Sequence, residues 1–393
     1  MNHSYAILCI IFIIALGCDP TGQPQNKAQE IIDNLKGKVA PDKRVAVFNI
    51  AAQQQGNGYV LKGETNDHNA LQRLYDSLAA NAISFTDSVS LLPRAELGEK
   101  TRALINISVA NLRSRPKHSA ELATQATLGT PVKVLKKEGD WYYIQTPDHY
   151  LAWVDDGGIV LLTEQEIKNW ESAEKMVYTK TYGHAYLGPE RKEVVSDLVA
   201  GNILEVIKYA DSFYIVRFPD GRNAYISHDE AMKYEDWLAN LDQSSAALVA
   251  TSKRFMGVPY LWGGTSAKGM DCSGFTKTIF FLNGMVIPRD ASQQVHTGEM
   301  VDEKGNFDAL EEGDLLFFGT EATADTPEKV VHVGMWIGNN EFIHASDMVR
   351  IGSVDKTAPN YDEHNVDRYL RSKRLLRKED KDLLDLRKVP LFR

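Results

Sequence analysis

Residues 259–275 read PYLWGGTSAKGMDCSGF, and this stretch decides how the C-terminal part of the chain folds. Its glycines predict a turn, and the apolar residues that follow, as far as about Asn283, predict a helix that begins at Cys272. Asp271 is a suitable N-cap for that helix. Unpaired amides at a helix N-terminus favour thiolate over thiol, so the pattern predicts a lowered pKa and a nucleophilic sulfur at Cys272.

The alternative for Cys272 is a buried structural cysteine, which is common among free cysteines. Its neighbours here are Asp271 and Ser273-Gly274 rather than aliphatic residues, and this favours the nucleophile. A nucleophilic sulfur requires a base, so the histidines have to be considered next.

Two strand-like segments each carry a histidine that could be that base. They are 330–337, with His332, and 341–346, with His344, and Gly338-Asn339-Asn340 between them is a hairpin signal. A three-residue loop would place both histidines on one face of the hairpin, whereas a two-residue loop would place them on opposite faces. On one face, His332 can accept the thiol proton while His344 orients its ring. Either histidine taken alone is better interpreted as an ordinary strand residue.

The first 18 residues, MNHSYAILCIIFIIALGC, contain an apolar run that is too short to span a bilayer and predict a signal peptide. The ending Leu16-Gly17-Cys18 resembles a lipobox. We therefore expect Cys18 to carry a lipid that anchors the protein to a membrane of the cell envelope, facing the periplasm or the exterior. The alternative is that Cys18 is an ordinary residue near a cleavage site. With Cys9 removed and Cys18 acylated, Cys272 would be the remaining free thiol of the three cysteines.

Between residues 121 and 226 the chain repeats itself with a constant offset of 72. The segment GTPVKVLKKEGDWYYIQTPDHYLAWV, from Gly129, aligns without gaps on GNILEVIKYADSFYIVRFPDGRNAYI, from Gly201. Short alternating strands separated by Gly and Pro-Asp turns predict two small β-barrels. The pattern resembles tandem bacterial SH3-like domains, which usually target enzymes to the cell wall or shape their sites.

A chain of 393 residues is too long for one ordinary core and predicts several domains. A small α+β region is expected before the barrels, with helices at 28–35 and 69–81 and a strand at 45–50. The charged C-terminal stretch is expected to be a solvated tail or a terminal helix. The expected segments are a signal peptide (1–18), the N-terminal α+β region (19–100), the first barrel (101–165), the second barrel (166–235), a third domain (236–376) and the charged tail (377–393).

The composition indicates a globular protein and argues against one class of partner. Binding to phosphate groups demands a basic face, and a formal net charge of -9 argues against one. No nucleic acid is therefore expected as a partner. No zinc site is expected either, because the remaining histidines show no ligand spacing such as HExxH. We expect a monomer.

The C-terminal region resembles the NlpC-type cell-wall cysteine peptidases, which are papain-like in fold. Five separated blocks carry the resemblance, which covers about residues 245–375. It implies an α+β fold, with Cys272 as the nucleophile, His332 as the base, His344 as the third polar residue and Tyr260 contributing its hydroxyl near the oxyanion or the nucleophile. The blocks are YLWGGTSAKGMDCSGF, PRDASQQ, EEGDLLFF, HVGMWIG and FIHAS.

Together with the barrels, the chain resembles the subgroup of γ-D-glutamyl-L-diamino acid peptidases. These enzymes release L-Ala-D-Glu from murein stem peptides that have a free N-terminal alanine, and they use no cofactor or metal. The resemblance implies a closed pocket whose carboxylates pair with the α-ammonium group. The residues that it implies for this pocket are Asp271, Ser273 and Ser292 of the third domain, and Glu121 and Tyr150 of the first barrel.

The repeat bears on the two barrel residues. Arg222 stands at the repeat position of Tyr150, so only the first barrel could supply this hydroxyl, whereas Glu121 has Glu193 opposite it and could be a solvated surface residue. Two other functions remain open: an endopeptidase acting on intact, polymeric cell wall, and a non-catalytic wall-binding lipoprotein. The sequence leaves open whether the diamino acid is diaminopimelate or lysine.

Overall fold

The N-terminal unit of the structure is a small three-stranded sheet covered by two helices. The structure is a computed structural model and describes residues 26–392. Both helices begin at a side-chain cap, Asn26 and Asp67, and their apolar faces pack on the sheet. The elements, which overlap the predicted helices and strand, are α1 (Lys27–Val39), β1 (Phe48–Gln55), β2 (Gly58–Thr65), α2 (His68–Ala80) and β3 (Phe85–Leu91). β1 pairs antiparallel with β2, and β2 pairs parallel with β3.

Two seven-stranded sheets follow, one for each copy of the repeat. The first consists of β4 (Arg102–Ile105), β5 (Val109–Arg113), β6 (Leu122–Thr127), β7 (Pro131–Glu138), β8 (Trp141–Gln145), β9 (Leu151–Asp155) and β10 (Ile159–Leu162). After α3 (Glu164–Ser172), the second consists of β11 (Lys175–Tyr178), β12 (Tyr182–Tyr186), β13 (Val194–Val199), β14 (Ile203–Ala210), β15 (Phe213–Arg217), β16 (Asn223–Ser227) and β17 (Ala231–Lys233). Four strands of the second barrel begin 72 residues after their counterparts in the first barrel, as the sequence offset predicts. These pairs are β6 and β13, β7 and β14, β8 and β15, and β9 and β16.

The C-terminal unit packs helices against a six-stranded antiparallel sheet. The helices are α4 (Tyr234–Ala239), α5 (Ser245–Lys253), α6 (Cys272–Leu282), α7 (Ala291–Gln294) and α8 (Glu363–Val366). The strands are β18 (Thr265–Ser266), β19 (Gly269–Met270), β20 (Met285–Val286), β21 (Glu299–Asp302), β22 (Leu315–Thr320), β23 (Lys329–Gly338), β24 (Glu341–Ser346), β25 (Met348–Ser353), β26 (Tyr369–Arg374) and β27 (Leu384–Asp385). The strand order in the sheet is β21-β26-β22-β23-β24-β25, and the central helix α6 is buried against β23 and β24.

The β23–β24 hairpin resolves the question of which face its histidines occupy. The loop has two residues, Asn339 and Asn340, both at positive φ (55° and 61°), as a tight hairpin turn requires. Such a loop would place the histidines on opposite faces, but the pairing shifts by one residue between Trp336 and Gly338. This bulge restores the register of a three-residue loop, so His332 and His344 share one face.

The segment after residue 376 is not a solvated tail or a helix, which corrects the expectation from its charges. β27 pairs with β20, and Leu386 and Phe392 are buried. The apolar residues of this segment, rather than its charges, determine its position, because the apolar side chains pack into a groove beside α6 and Tyr234. Among residues 26–392, no helix is both long and apolar enough to cross a bilayer.

The units contact one another through buried polar pairs. The ammonium group of Lys277 on α6 pairs with Asp148 of the first barrel, and both side chains are largely buried. The N-terminal unit contacts the first barrel through Glu64, which pairs with Lys136 at 2.5 Å. The first barrel and the N-terminal unit are therefore positioned to contribute side chains near α6.

Candidate active site

Cys272 is the first residue of α6, and Asp271 caps this helix by accepting a 2.7 Å hydrogen bond from the N–H of Gly274. The Cys272 side chain is buried, and the backbone N–H of Val333 on β23 is close enough to its sulfur to act on the thiol pKa, which it lowers. Val333 directly follows His332. The fold thus brings the sulfur to the strand position that carries the first histidine.

The two histidines are hydrogen-bonded to each other inside the sheet. His332 Nε2 lies 2.8 Å from His344 Nδ1, and both side chains are buried. This bond leaves Nδ1 as the remaining ring nitrogen of His332. On the far side, His344 Nε2 lies 3.5 Å from the carboxylate of Asp362.

Electrostatics in the site favour a neutral sulfur and neutral imidazoles. Burial, and after it the charge of Asp271, raises the pKa of Cys272 to about 12. Burial and the neighbouring His344 hold the pKa of His332 well below its usual value, and burial lowers the pKa of His344 to about 4. The expectation that the helix N-terminus lowers the thiol pKa is therefore wrong, because burial and an adjacent carboxylate outweigh the helix dipole.

Tyr260 lies beside the same sulfur. Its backbone N–H donates to Asp347 O at 2.8 Å, and its half-buried ring packs against the core around α6. Burial raises the pKa of Tyr260, with further contributions from the nearby Cys272 and Asp271. The phenol therefore keeps its proton and can donate a hydrogen bond at the site.

Asp271 and Ser273 are held by Arg289, a residue that the sequence analysis did not single out. Arg289 is 1% exposed and donates to Asp271 at 2.6 and 3.1 Å and to Ser273 Oγ at 3.0 Å. Asp271 also accepts from the N–H groups of Gly263 and Gly274. Its carboxylate is thus already neutralised by a buried guanidinium and positions the start of α6.

Ser292 and Tyr150 meet at a second cluster, which Arg44 of the N-terminal unit completes. Arg44 donates to Ser292 Oγ at 2.9 Å and to Asp290 Oδ2 at 2.6 Å. The hydroxyl of Tyr150, a buried residue of the first barrel, donates to the same Asp290 oxygen at 3.1 Å. Arg44 is fixed in turn by Asp42 at 2.7 Å, so the N-terminal unit, the first barrel and the C-terminal unit converge here.

Glu121 contacts the catalytic unit from the first barrel. Its carboxylate accepts a 2.8 Å hydrogen bond from Trp262 Nε1, and both side chains are exposed. Trp262 stands in the glycine-rich turn that leads to Cys272. The repeat offered no reason to prefer Glu121 over Glu193, and it is this long-range contact that separates them.

Sequence reasoning also missed several residues of the site, for different reasons. Arg289 and Asp290 stand in the block 288–294 that carries the resemblance, so their position was a usable signal. Arg44 and Asp362 have no such signal, because each reaches the site from a separate segment. Cys18, expected to carry a lipid, lies outside the described residues.

Comparisons with known proteins identify the families that this chain resembles. Residues 257–368 match the NlpC/P60 family, and residues 108–159 match the bacterial SH3 domain family. A gamma-D-glutamyl-L-lysine dipeptidyl-peptidase of Bacillus cereus is 31% identical over 252 residues, which are 62% of this chain and 73% of the relative. Dipeptidyl-peptidase 6 of Lysinibacillus sphaericus is 27% identical over 276 residues, covering 66% of this chain and 94% of the relative.

A solved structure supports the same family assignment. The crystal structure of an NlpC/P60 family protein from Bacillus cereus superposes with a TM-score of 0.59 at 27% identity, covering 70% of this chain and 99% of that one. The chain therefore belongs to the NlpC/P60 family of peptidoglycan peptidases and carries a bacterial SH3 domain ahead of its peptidase domain.

Proposed function

We propose that this protein is a cysteine peptidase that hydrolyses the bond between γ-D-glutamate and the diamino acid in murein stem peptides with a free N-terminal L-alanine. The products are L-Ala-D-Glu and the remaining diamino acid peptide. The observation that carries the proposal is the buried sulfur of Cys272 beside the strand position of His332, which is hydrogen-bonded to His344. The names of the two relatives support the choice of bond.

In the proposed reaction, the Cys272 thiol loses its proton to His332 as the sulfur attacks the γ-amide carbonyl. The hydroxyl of Tyr260 donates to the oxygen that becomes negative in the tetrahedral intermediate. His332 then returns the proton to the departing amine of the diamino acid, which leaves an acyl-enzyme on Cys272. Water attacks this thioester with His332 as general base, and the dipeptide is released. No metal or cofactor takes part.

The free N-terminus of the substrate is proposed to meet Glu121. This carboxylate accepts one hydrogen bond from Trp262 and has oxygen lone pairs left for an α-ammonium group. Asp271 and Asp290, by contrast, are already paired with arginines. We propose that Asp271, Ser273, Ser292 and Tyr150 shape the pocket wall, and that Glu121 supplies the charge.

The experiment compares the tripeptides L-Ala-γ-D-Glu-L-Lys and L-Ala-γ-D-Glu-diaminopimelate with their N-acetylated forms, with product masses as the readout. Both free tripeptides are tested because either diamino acid fits the proposal. We expect the enzyme to cleave at least one of the free tripeptides and to leave the acetylated peptides intact. We expect Cys272→Ala to cleave none of them. Equal cleavage of blocked and free peptides would refute the free-amine requirement.

Glu121→Gln provides a sharper test, because Glu193→Gln at the repeat position is a matched control. Loss of a charge-assisted hydrogen bond predicts a rise in KM of roughly 10-fold or more for the free tripeptide. The control variant should leave KM unchanged. Equal effects of the two substitutions would contradict the role of Glu121.

A second function, endopeptidase action on intact cell wall, is favoured by one observation. A cleft of about 1110 Å³ lies beside Ser292 and Arg44, between the N-terminal unit, the first barrel and the peptidase domain. Ser292, one of the residues proposed for the pocket wall, lines this cleft, which offers space for the longer peptide or glycan of polymeric murein. Release of soluble peptides from intact peptidoglycan, at a rate similar to tripeptide cleavage, would favour this function over the first.

We also propose that Cys18 carries a lipid that anchors the protein in the cell envelope. The lipobox-like Leu16-Gly17-Cys18 sequence supports this location. The test is detergent-phase partitioning of the protein after expression in a bacterium that processes lipoproteins. The unaltered protein should enter the detergent phase and Cys18→Ser should stay in the aqueous phase, whereas the same partitioning of both would contradict the anchor.

A further inference from the structure

His344 has a buried ring nitrogen without a good partner. Its Nε2 forms no hydrogen bond with any of residues 26–392, although the side chain is 0% exposed. An unsatisfied buried N–H costs about 1–3 kcal/mol, so its surroundings need an explanation. The carboxylate of Asp362 lies 3.5 Å away, slightly beyond normal hydrogen-bond length.

Asp362 is firmly held where it faces this nitrogen. Its Oδ1 accepts from the backbone N–H of Asn365 at 3.2 Å, and its Oδ2 accepts from Asn365 Nδ2 at 2.7 Å. Its own N–H donates to Ser353 O at 3.0 Å, which fixes the loop to β25. The side chain of Asp362 is only 9% exposed, and Arg350 lies 3.7 Å from the same Oδ2.

A carboxylate at this place determines which nitrogen of each imidazole carries the proton. Because a carboxylate attracts an N–H and repels a lone pair, Asp362 at 3.5 Å favours the proton of His344 on Nε2, and Nδ1 is then an acceptor. His332 must consequently donate from Nε2 along the 2.8 Å bond between the rings. This leaves a lone pair on Nδ1 of His332, the form that can take a proton from a thiol.

We propose that Asp362 is a positioning residue that acts through His344 to keep His332 in the base-competent tautomer. This inference rests on the proposed catalytic roles of Cys272 and His332. It adds a fourth residue behind them, with no contact to the substrate.

The test uses Asp362→Asn. Asparagine is also a good N-cap and can accept from the N–H of Asn365 with its one oxygen, but its NH2 group then replaces the oxygen that accepts from Asn365 Nδ2 at 2.7 Å. Circular dichroism and thermal melting must therefore show that the variant is folded. The amide group of the asparagine can also donate to His344 Nε2, which would reverse both bonds and put a proton on Nδ1 of His332. The matched control is Asp355→Asn, which removes the same charge from an aspartate of the same loop that caps Thr357 instead.

For Asp362→Asn, kcat for the tripeptide should fall about 10- to 100-fold, as for residues that orient a ligand or base, while KM stays within 2-fold. The Asp355→Asn variant should match the unaltered enzyme. The effect should disappear in a His344→Ala background, since Asp362 would then have no ring to orient. A purely structural role would instead lower kcat in that background as well.

A second readout does not depend on the substrate. The rate at which iodoacetamide alkylates Cys272 at neutral pH, followed by the mass of the Cys272 peptide, should fall in Asp362→Asn together with kcat. If the unaltered protein cleaves no tripeptide but this alkylation difference is found, the proposed substrate fails and the inference stands. If cleavage and alkylation are both unchanged by Asp362→Asn, the inference is overturned and the proposed function stands.

Discussion

The structure predicts that Cys272 is a neutral thiol at physiological pH, which can be tested by titration. A shift of its pKa from 9.0 to about 12 corresponds to three pH units, or about 4 kcal/mol, against the thiolate. At pH 7 the ionised fraction falls from roughly 1 in 100 to roughly 1 in 100,000. The enzyme would therefore lack the thiolate–imidazolium pair that lowers the cysteine pKa in papain.

The assay is the ultraviolet absorption of the thiolate, taken as the difference between the unaltered protein and Cys272→Ser across a pH series. The subtraction removes the contributions of tyrosines and other cysteines. We expect no difference signal between pH 5 and pH 8 and a rise well above pH 9. A signal already present at pH 6 to 7 would refute the electrostatic reasoning.

The same assay can identify the cause of the shift. Burial comes first, but the charge of Asp271 also contributes, so Asp271→Asn should move the onset of thiolate absorption to lower pH. Because Arg289 would lose its buried partner, circular dichroism and thermal melting must show that the variant is folded. An unchanged onset in a folded variant would show that Asp271 does not raise the thiol pKa.

Three further predictions concern an interface, the acid limb and the pocket. Lys277→Met should lower the free energy of unfolding in denaturant by about 3–5 kcal/mol, because it leaves the buried carboxylate of Asp148 without its partner. The double variant Lys277→Met with Asp148→Asn should lose much less stability. Equal losses in the two variants would contradict a buried ion pair. Because burial lowers the pKa of His332, this base stays neutral as the pH falls through 6.5, and kcat/KM should decline only at clearly lower pH. A decline in kcat/KM with its midpoint at or above pH 6.5 would be inconsistent with the burial of His332. Arg44→Gln should raise KM about 3- to 10-fold at constant kcat, because Arg44 holds Ser292 in the pocket wall. The control is Arg73→Gln, which changes an exposed arginine of the same unit and should leave KM unchanged. Identical KM values for the two variants would show that Arg44 does not contribute to the pocket.

Local patterns were sufficient to predict the elements that carry the site. The Asp271 cap, the start of α6 and the two histidine strands all follow from side-chain chemistry and periodicity. The 72-residue offset likewise predicted strand positions in both barrels. These features depend on residues that are close in sequence, which is why they can be read without a structure.

The remaining features arise from contacts between distant segments. The face shared by His332 and His344 depends on a bulge at Ile337, which no local rule located. Arg44 reaches Ser292 across 248 positions, and Glu121 reaches Trp262 across 141. The expected thiol pKa differs for the same reason: the helix start is local, but the burial that opposes it comes from a core assembled from distant segments.

The proposed role of Asp362 holds for either charge state of the Cys272 thiol. If the sulfur were ionised at neutral pH, His332 would carry protons on both ring nitrogens and would still donate from Nε2 to Nδ1 of His344, which requires the proton of His344 on Nε2. If burial keeps the proton on Cys272, His332 must in addition present a lone pair on Nδ1, and the direction of the 2.8 Å bond to His344 becomes decisive. The thiolate titration therefore tells which of these two tasks Asp362 performs, and a kcat in Asp362→Asn equal to that of the unaltered enzyme would contradict both.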